Sequence, residues 1–278
     1  MQVRVRVHMD FGGVGLESLL IVAILVAIVA FFYSNLGLGG GQLYVPIMVL
    51  FFGSVLEMRD IVPLSLTFAF VTMLTATFTH NKKKLVDFKL GMTLGGAGLL
   101  GVAMGVVFTI SVEDSVVKAG FAALLIVVAT KMMCDLYTAK KDNLISPTSF
   151  SMKRKLAGMG VSILTGFLVG SFGIGGGVVS VPLIIYVFKC EPRRAIGTSA
   201  LMGAILTPAA FVAYFLASEP GTTIHYDLAL VLAPIVFLFA IVGSTWGLQK
   251  LKTRMVRTIF TLGVYLAAAT MIYSIIFS

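Results

Sequence analysis

One stretch occurs twice in this chain: Asn35-Leu36-Gly37-Leu38-Gly39-Gly40-Gly41-Gln42-Leu43-Tyr44-Val45-Pro46, and again Ser171-Phe172-Gly173-Ile174-Gly175-Gly176-Gly177-Val178-Val179-Ser180-Val181-Pro182. In each copy a long apolar helical pattern runs into a glycine cluster, where every glycine costs about 1 kcal/mol relative to alanine in a helix. A short apolar segment carrying a proline then restarts beyond the cluster. The pattern is a helix broken in the same way at two places.

The medium around the breaks gives them meaning. Of 278 residues, 58% are hydrophobic and 12% charged, and the mean hydropathy is +1.02. These values describe an all-α polytopic membrane protein, for which the plasma membrane is the expected location. In lipid an unsatisfied backbone N–H or C=O costs several kcal/mol, so irregular backbone at membrane depth must be packed in protein or line a cavity. Paired interruptions in two halves therefore point to a transporter's binding site.

Outward from the first block, Leu19 to Tyr33 has the length of a signal-peptide core, but no small-residue cleavage site follows and the run leads into the glycines, so it is read as helix 1. Gln42 to Phe52 spans only about 16 Å as a helix, too short for a 30 Å hydrocarbon core. It is expected to be a half-helix. Full spans are expected at Ile61 to Thr79, Leu90 to Val112 and Val116 to Tyr137. The series then repeats: Lys155 to Phe172, the second break, Val178 to Phe188, Ala195 to Ala217, Leu228 to Leu248 and Thr258 to Phe277. The expected organisation is a single membrane domain with a first transmembrane repeat at 16–137, a cytoplasmic connector at 138–154 and a second repeat at 155–278. Each repeat combines a Gly-broken helix pair with three full spans.

Residue identities carry the duplication further. Gly37, Gly39, Gly40, Gly41, Val45 and Pro46 recur as Gly173, Gly175, Gly176, Gly177, Val181 and Pro182. After a two-residue gap, Glu57, Arg59 and Ser65 recur as Glu191, Arg193 and Ser199, and Gly101 and Gly105 are paired with Gly243 and Gly247. Basic residues concentrate around Lys82-Lys83-Lys84, in the connector with Lys140 and Lys141, at Lys189, Arg193 and Arg194, and from Lys250 to Arg257. The net charge of +9 is thus a topology signal and not a nucleic-acid footprint. Equivalent loops have opposite character: the Lys82 loop is basic while Ser218 to His225 is not, and the Glu113 turn is acidic while Lys250 to Arg257 is basic. The expectation is two inverted-topology repeats with both termini outside and the connector inside, Arg4 and Arg6 falling against the bias.

The starts of the two half-helices present free N–H groups and the positive end of a helix dipole, an environment suited to an anion. The expected substrate-binding set is Gly39, Gly40, Gly41, Gln42 and Ser65 from the first half with Gly175, Gly176, Gly177, Thr198 and Ser199 from the second. Arg59, Arg193 and Arg194 are expected at a cavity mouth. His80 and His225, at span ends, read as interfacial, and Cys134 and Cys190 as free thiols. No Asp or Glu lies centrally in an apolar span, which disfavours a cation pump. No nucleophile and base, and no metal-ligand cluster, are paired at span depth as an intramembrane enzyme requires. No cofactor or metal is expected; the partners are a small anion, the lipid bilayer and an unidentified coupling ion, with a homodimer left open.

The Gly-Gly-Gly-x-x-x-Val-Pro blocks, with Arg59 to Leu66 and Glu191-Pro192-Arg193-Arg194-Ala195-Ile196-Gly197-Thr198-Ser199-Ala200, resemble the TauE/SafE family of sulfite and sulfonate exporters. The second copy fits the pattern more closely; the first has Pro63-Leu64 where the second has Gly197-Thr198. The resemblance implies export of small sulfur-containing anions such as sulfite, sulfoacetate or related organosulfonates. An anion-selective channel and a carrier for short carboxylates are the competing readings.

Overall fold

A computed structural model describes residues 16–137, 151–217, 226–247 and 253–277, and every element among them is helical. In chain order these are α1 (Leu16–Leu36), α2 (Gly41–Phe52), α3 (Met58–Lys82), α4 (Phe88–Ser111), α5 (Asp114–Tyr137), α6 (Met152–Phe172), α7 (Gly177–Tyr186), α8 (Pro192–Ala217), α9 (Tyr226–Val242) continued by a π-helical turn (Gly243–Gly247), and α10 (Thr253–Phe277). Arg4, Arg6, Lys140, Lys141, the loop from Ser218 to His225, Lys250 and Lys252 lie outside the described residues.

Among the described residues, six helices are long and apolar enough to cross a membrane: α1, α3, α4, α6, α8 and α9 with its π-helical turn. The remaining elements expected as full spans are α5 and α10. These two pack against each other. Lys118 is only 4% exposed and is neutralised by Asp114 at 2.7 Å. The same carboxylate accepts from the Met58 N–H at 2.6 Å, tying the start of α5 to the start of α3.

Helix packing is backbone-close because small residues line the contacts. A methyl group on Gly101 would overlap the Ile163 carbonyl oxygen, and one on Gly166 the Gly98 carbonyl, so α4 and α6 touch main chain to main chain. The corresponding pair in the other half is α1 with α9 and its π-helical turn, where Gly243 lies against the Phe31 carbonyl as Gly105 lies against that of Phe167. Phe31 and Phe167 are counterparts, so these contacts match Gly243 to Gly105, one turn away from the expected pairing with Gly101. Glycines spaced four apart match again after a four-residue slide, so spacing alone cannot choose the register.

His80 is also placed differently from the expectation. It is 0% exposed, because α3 runs a turn beyond Thr79 and packs its last turn under the end of α1. A polar Thr-His-Asn-Lys ending looks interfacial in sequence but is covered here by tertiary packing.

Gly101→Ala and Gly166→Ala are expected to lower stability by about 1–3 kcal/mol through overpacking. Gly96→Ala and Gly160→Ala, on the same two helices with nothing within 4 Å of the added methyl, are expected to be neutral or slightly stabilising. Thermal unfolding of the four variants in detergent measures the difference.

Candidate functional site

The α1 helix ends because Gly37, Gly39 and Gly40 take φ values of 61°, 81° and 87°; the second block repeats this with Gly173, Gly175 and Gly176 at 66°, 71° and 83°. At Gly40 and Gly176, the residues preceding α2 and α7, this left-handed conformation is accessible to glycine at little cost and strained for a branched side chain. Neither helix start has a side-chain cap. The Gly40 carbonyl accepts from Leu43 and Tyr44 N–H at 2.9 Å each, but the N–H groups of Gly41 and Gln42 have no acceptor within the helix.

The two breaks cross in direct contact. Added methyl groups at Gly41 and Gly177 would overlap the carbonyl oxygens of Gly173 and Gly37 respectively, and one at Gly39 would stand 3.0 Å from Gly175 Cα. Ser65 donates to the Gly173 carbonyl and Ser199 to the Gly37 carbonyl, both at 3.2 Å. Each serine thus bonds the break of the opposite half. The two equivalent bonds secure carbonyls released where α1 and α6 stop.

The expected site residues separate into groups. Gly39, Gly40, Gly41, Gly175, Gly176 and Gly177 are all buried at the crossing. Ser65 and Ser199 are there too, with their hydroxyl hydrogens engaged by backbone. Thr198 lies elsewhere: its hydroxyl accepts from the Asp87 N–H at 3.0 Å, while Asp87 caps α4 through Leu90 N–H at 3.0 Å, so Thr198 braces the α3–α4 turn. Arg59, Arg193 and Arg194 do not form one mouth. Met73 lies beside Gly203 and His80 beside Gly197, so α3 and α8 run antiparallel and their N-terminal arginines lie at opposite ends. Arg59 is exposed and paired with Glu57 at 2.8 Å.

Gln42 stands out chemically. It is 1% exposed, and neither Oε1 nor Nε2 closes a hydrogen bond of sound geometry. The Tyr33 hydroxyl, on the last turns of α1, interacts with it. Nearby, the Tyr44 hydroxyl and Thr72 Oγ1 are 3.0 Å apart. At the corresponding positions of the second half stand Val169, Val178, Ser180 and Leu206. The two breaks therefore share a backbone but not a polarity. Tyr33, Tyr44 and Thr72 were missed in sequence because a tyrosine or threonine in an apolar helix reads as packing; the available signal was the mismatch with the second copy.

A crevice of about 570 Å³ between α3, α8 and α9 is a separate feature. Leu64, Val71, Phe211, Leu230 and Phe237 make it apolar, and its Thr67 hydroxyl is already bonded to the Pro63 carbonyl at 3.1 Å. It offers nothing to an anion.

Ser65→Ala and Ser199→Ala are each expected to lower stability by about 1 kcal/mol, the net value of one hydrogen bond. The two losses should be alike because the two bonds are. Thermal melts of the single variants in one detergent compare them directly.

Among known proteins, 28% of residues are identical over 232 positions to the probable membrane transporter protein MJ0441 of Methanocaldococcus jannaschii, covering 81% of each chain. The probable membrane transporter protein YunE of Bacillus subtilis is 24% identical over 283 positions, covering 94% of this chain and 100% of that one. No solved structure matches. The family model described as Sulfite exporter TauE/SafE matches residues 21–271. With that match over most of its length and, among the described residues, six helices long and apolar enough to cross a bilayer, the chain is a multi-pass membrane protein of the TauE/SafE family.

Proposed function

We propose that this protein is a secondary-active transporter that exports small sulfur-containing anions, sulfite, sulfoacetate or related organosulfonates, by alternating access at a midplane site between the two broken helices. The observation that carries this reading is Gln42: a carboxamide 1% exposed, without a sound hydrogen bond, next to the uncapped start of α2. Beyond its contact with the Tyr33 hydroxyl the amide has capacity to spare, which is costly deep in a membrane protein, and an amide beside free N–H groups and a helix dipole of roughly half a positive charge suits an oxyanion. The family description supplies the sulfur chemistry. Binding in this reading is asymmetric, favouring the first break, with Tyr33 and Tyr44 close by and Gly175 to Gly177 closing the other side through backbone contact.

The inverted arrangement of the halves is part of the proposal. Reciprocal contacts of Gly41 with Gly173 and Gly177 with Gly37, paired serine bonds and the antiparallel course of α3 and α8 all support it. In this reading α2 and α7, of 12 and 10 residues, are half-helices returning to the side from which α1 and α6 entered. Alternating access is then a rocking of one broken-helix pair against the other spans. The chemistry is transport and not catalysis.

Two measurements test these points. In calorimetry of purified protein against sulfite, sulfoacetate, taurine, sulfate and acetate, a sulfur oxyanion should bind, and Gln42→Leu should weaken it by about tenfold or more, corresponding to 1.4 kcal/mol. Binding unchanged in Gln42→Leu would remove Gln42 from the site. With Cys134 and Cys190 replaced by serine, single cysteines at Ser54 and Lys189, exposed in equivalent connectors of the two halves, should label from opposite sides of the membrane. Labelling from one side would refute inverted topology.

A further inference from the structure

We infer that His80 is the proton-binding residue through which the transport cycle is coupled to a pH difference; this rests on the transporter reading above and identifies its coupling ion. The inference starts from what surrounds the ring. His80 is 0% exposed in the last turns of α3. Its Nδ1 is 2.7 Å from the Ala76 carbonyl oxygen. A carbonyl only accepts, so Nδ1 carries the hydrogen. The other nitrogen, Nε2, closes no hydrogen bond, while the imidazole lies within reach of the Asn35 backbone. Asn35 is the penultimate residue of α1, and carbonyls in a helix's final turn lack an intrahelical donor. A neutral imidazole with its hydrogen on Nδ1 presents a lone pair from Nε2 and leaves such a carbonyl unserved. The imidazolium has two N–H groups and can serve both acceptors.

Comparison of the halves shows that this position is a built one. The counterpart of His80 is Tyr214, 2% exposed, whose hydroxyl donates at 2.8 Å to the Gly170 carbonyl in the last turn of α6. Both halves thus place a side chain from the third helix against the final turn of the helix entering the break. In the second half the donor is a phenol, which keeps its proton across the physiological range. In the first half it is the one side chain whose ordinary pKa lies within that range.

The charged groups around the ring are mainly cations, and none of them holds a permanent imidazolium. Lys83, on the α3–α4 turn, is the charged group acting on it. The end of α1 contributes Asn35. The adjoining part of α8 contributes Gly197, with Arg193 and Arg194 at that helix's start, and the turn also carries Lys82, Lys84 and Asp87. No carboxylate of α1 or α8 approaches, among the described residues, to hold a permanent imidazolium. The turn immediately following, Lys82 to Lys84, is exposed and gives the proton a short route to water. When a proton from water adds to Nε2, α3 is tied to the end of α1 two residues before the glycine break begins. When it leaves to water, that tie is released, so the proton shifts the balance between the positions of the break without being needed for movement between them. The step changes only one N–H bond and requires no oxidant or reductant.

The test uses full-length protein in liposomes with radiolabelled sulfoacetate, an anion fully ionised near neutral pH. Two rates are measured: exchange against unlabelled sulfoacetate at equal pH, and net flux driven by an imposed pH difference. The wild type should show both. His80→Tyr, which copies Tyr214, and His80→Gln should keep exchange and lose about tenfold or more of the pH-driven flux, with a flattened pH profile. Driven flux equal to wild type in either exchanging variant overturns the proton role. Loss of exchange as well as driven flux in both variants overturns it too, assigning the ring to folding or anion contact. If the wild-type protein exchanges none of the sulfonates or sulfite, the transporter reading itself fails, an outcome distinct from exchange with unaltered pH response.

Discussion

The structure depends on how two stretches of irregular backbone are satisfied in lipid. Each glycine break frees N–H and C=O groups that would cost several kcal/mol apiece if left facing hydrocarbon. The solution is mutual: Gly41 packs on the Gly173 carbonyl, Gly177 on the Gly37 carbonyl, and Ser65 and Ser199 donate across the same crossing. A side chain at Gly41 or Gly177 would occupy the space the other break needs. The glycine clusters thus provide closeness as well as left-handed geometry, and each break is stable in the presence of the other.

From that crossing the remaining packing follows. The helices that enter the breaks, α1 and α6, are held along their length by α9 and α4 through further backbone-close glycine contacts. The two helices that follow the short segments, α3 and α8, run antiparallel beside the crossing and deliver Ser65 and Ser199 to it. Met73 and Gly203 meet next to Gly39 and Gly175. Small residues at these contacts allow dispersion and weak hydrogen bonds to hold helices together where lipid tails remove the usual hydrophobic drive.

Functional asymmetry is laid over this repeated frame. The first half carries Tyr33, Gln42, Tyr44 and Thr72 where the second carries Val169, Val178, Ser180 and Leu206, and it carries His80 where the second carries Tyr214. In the transport reading proposed above, a symmetric frame would offer two equivalent resting positions to a moving element, and polar groups confined to one half would let ligand binding bias the equilibrium between them.

The amino-acid sequence by itself determined the membrane character, the two breaks and their shortened following segments, since glycine clusters in apolar helices and sub-membrane lengths are local properties. It also determined the duplication and the family, which rest on residue identities at fixed spacing. Only the tertiary structure decided what those residues touch. It set Ser65 and Ser199 as donors to the opposite break, placed Thr198 at the α3–α4 turn, and put Arg59 at the opposite end from Arg193 and Arg194. It also aligned Gly243 with Gly105 and buried His80. The physical reason is common to all of them: a hydroxyl, a guanidinium or an imidazole takes its role from the nearest donor or acceptor. In this fold that partner lies far along the chain, brought close by helices crossing at glycine.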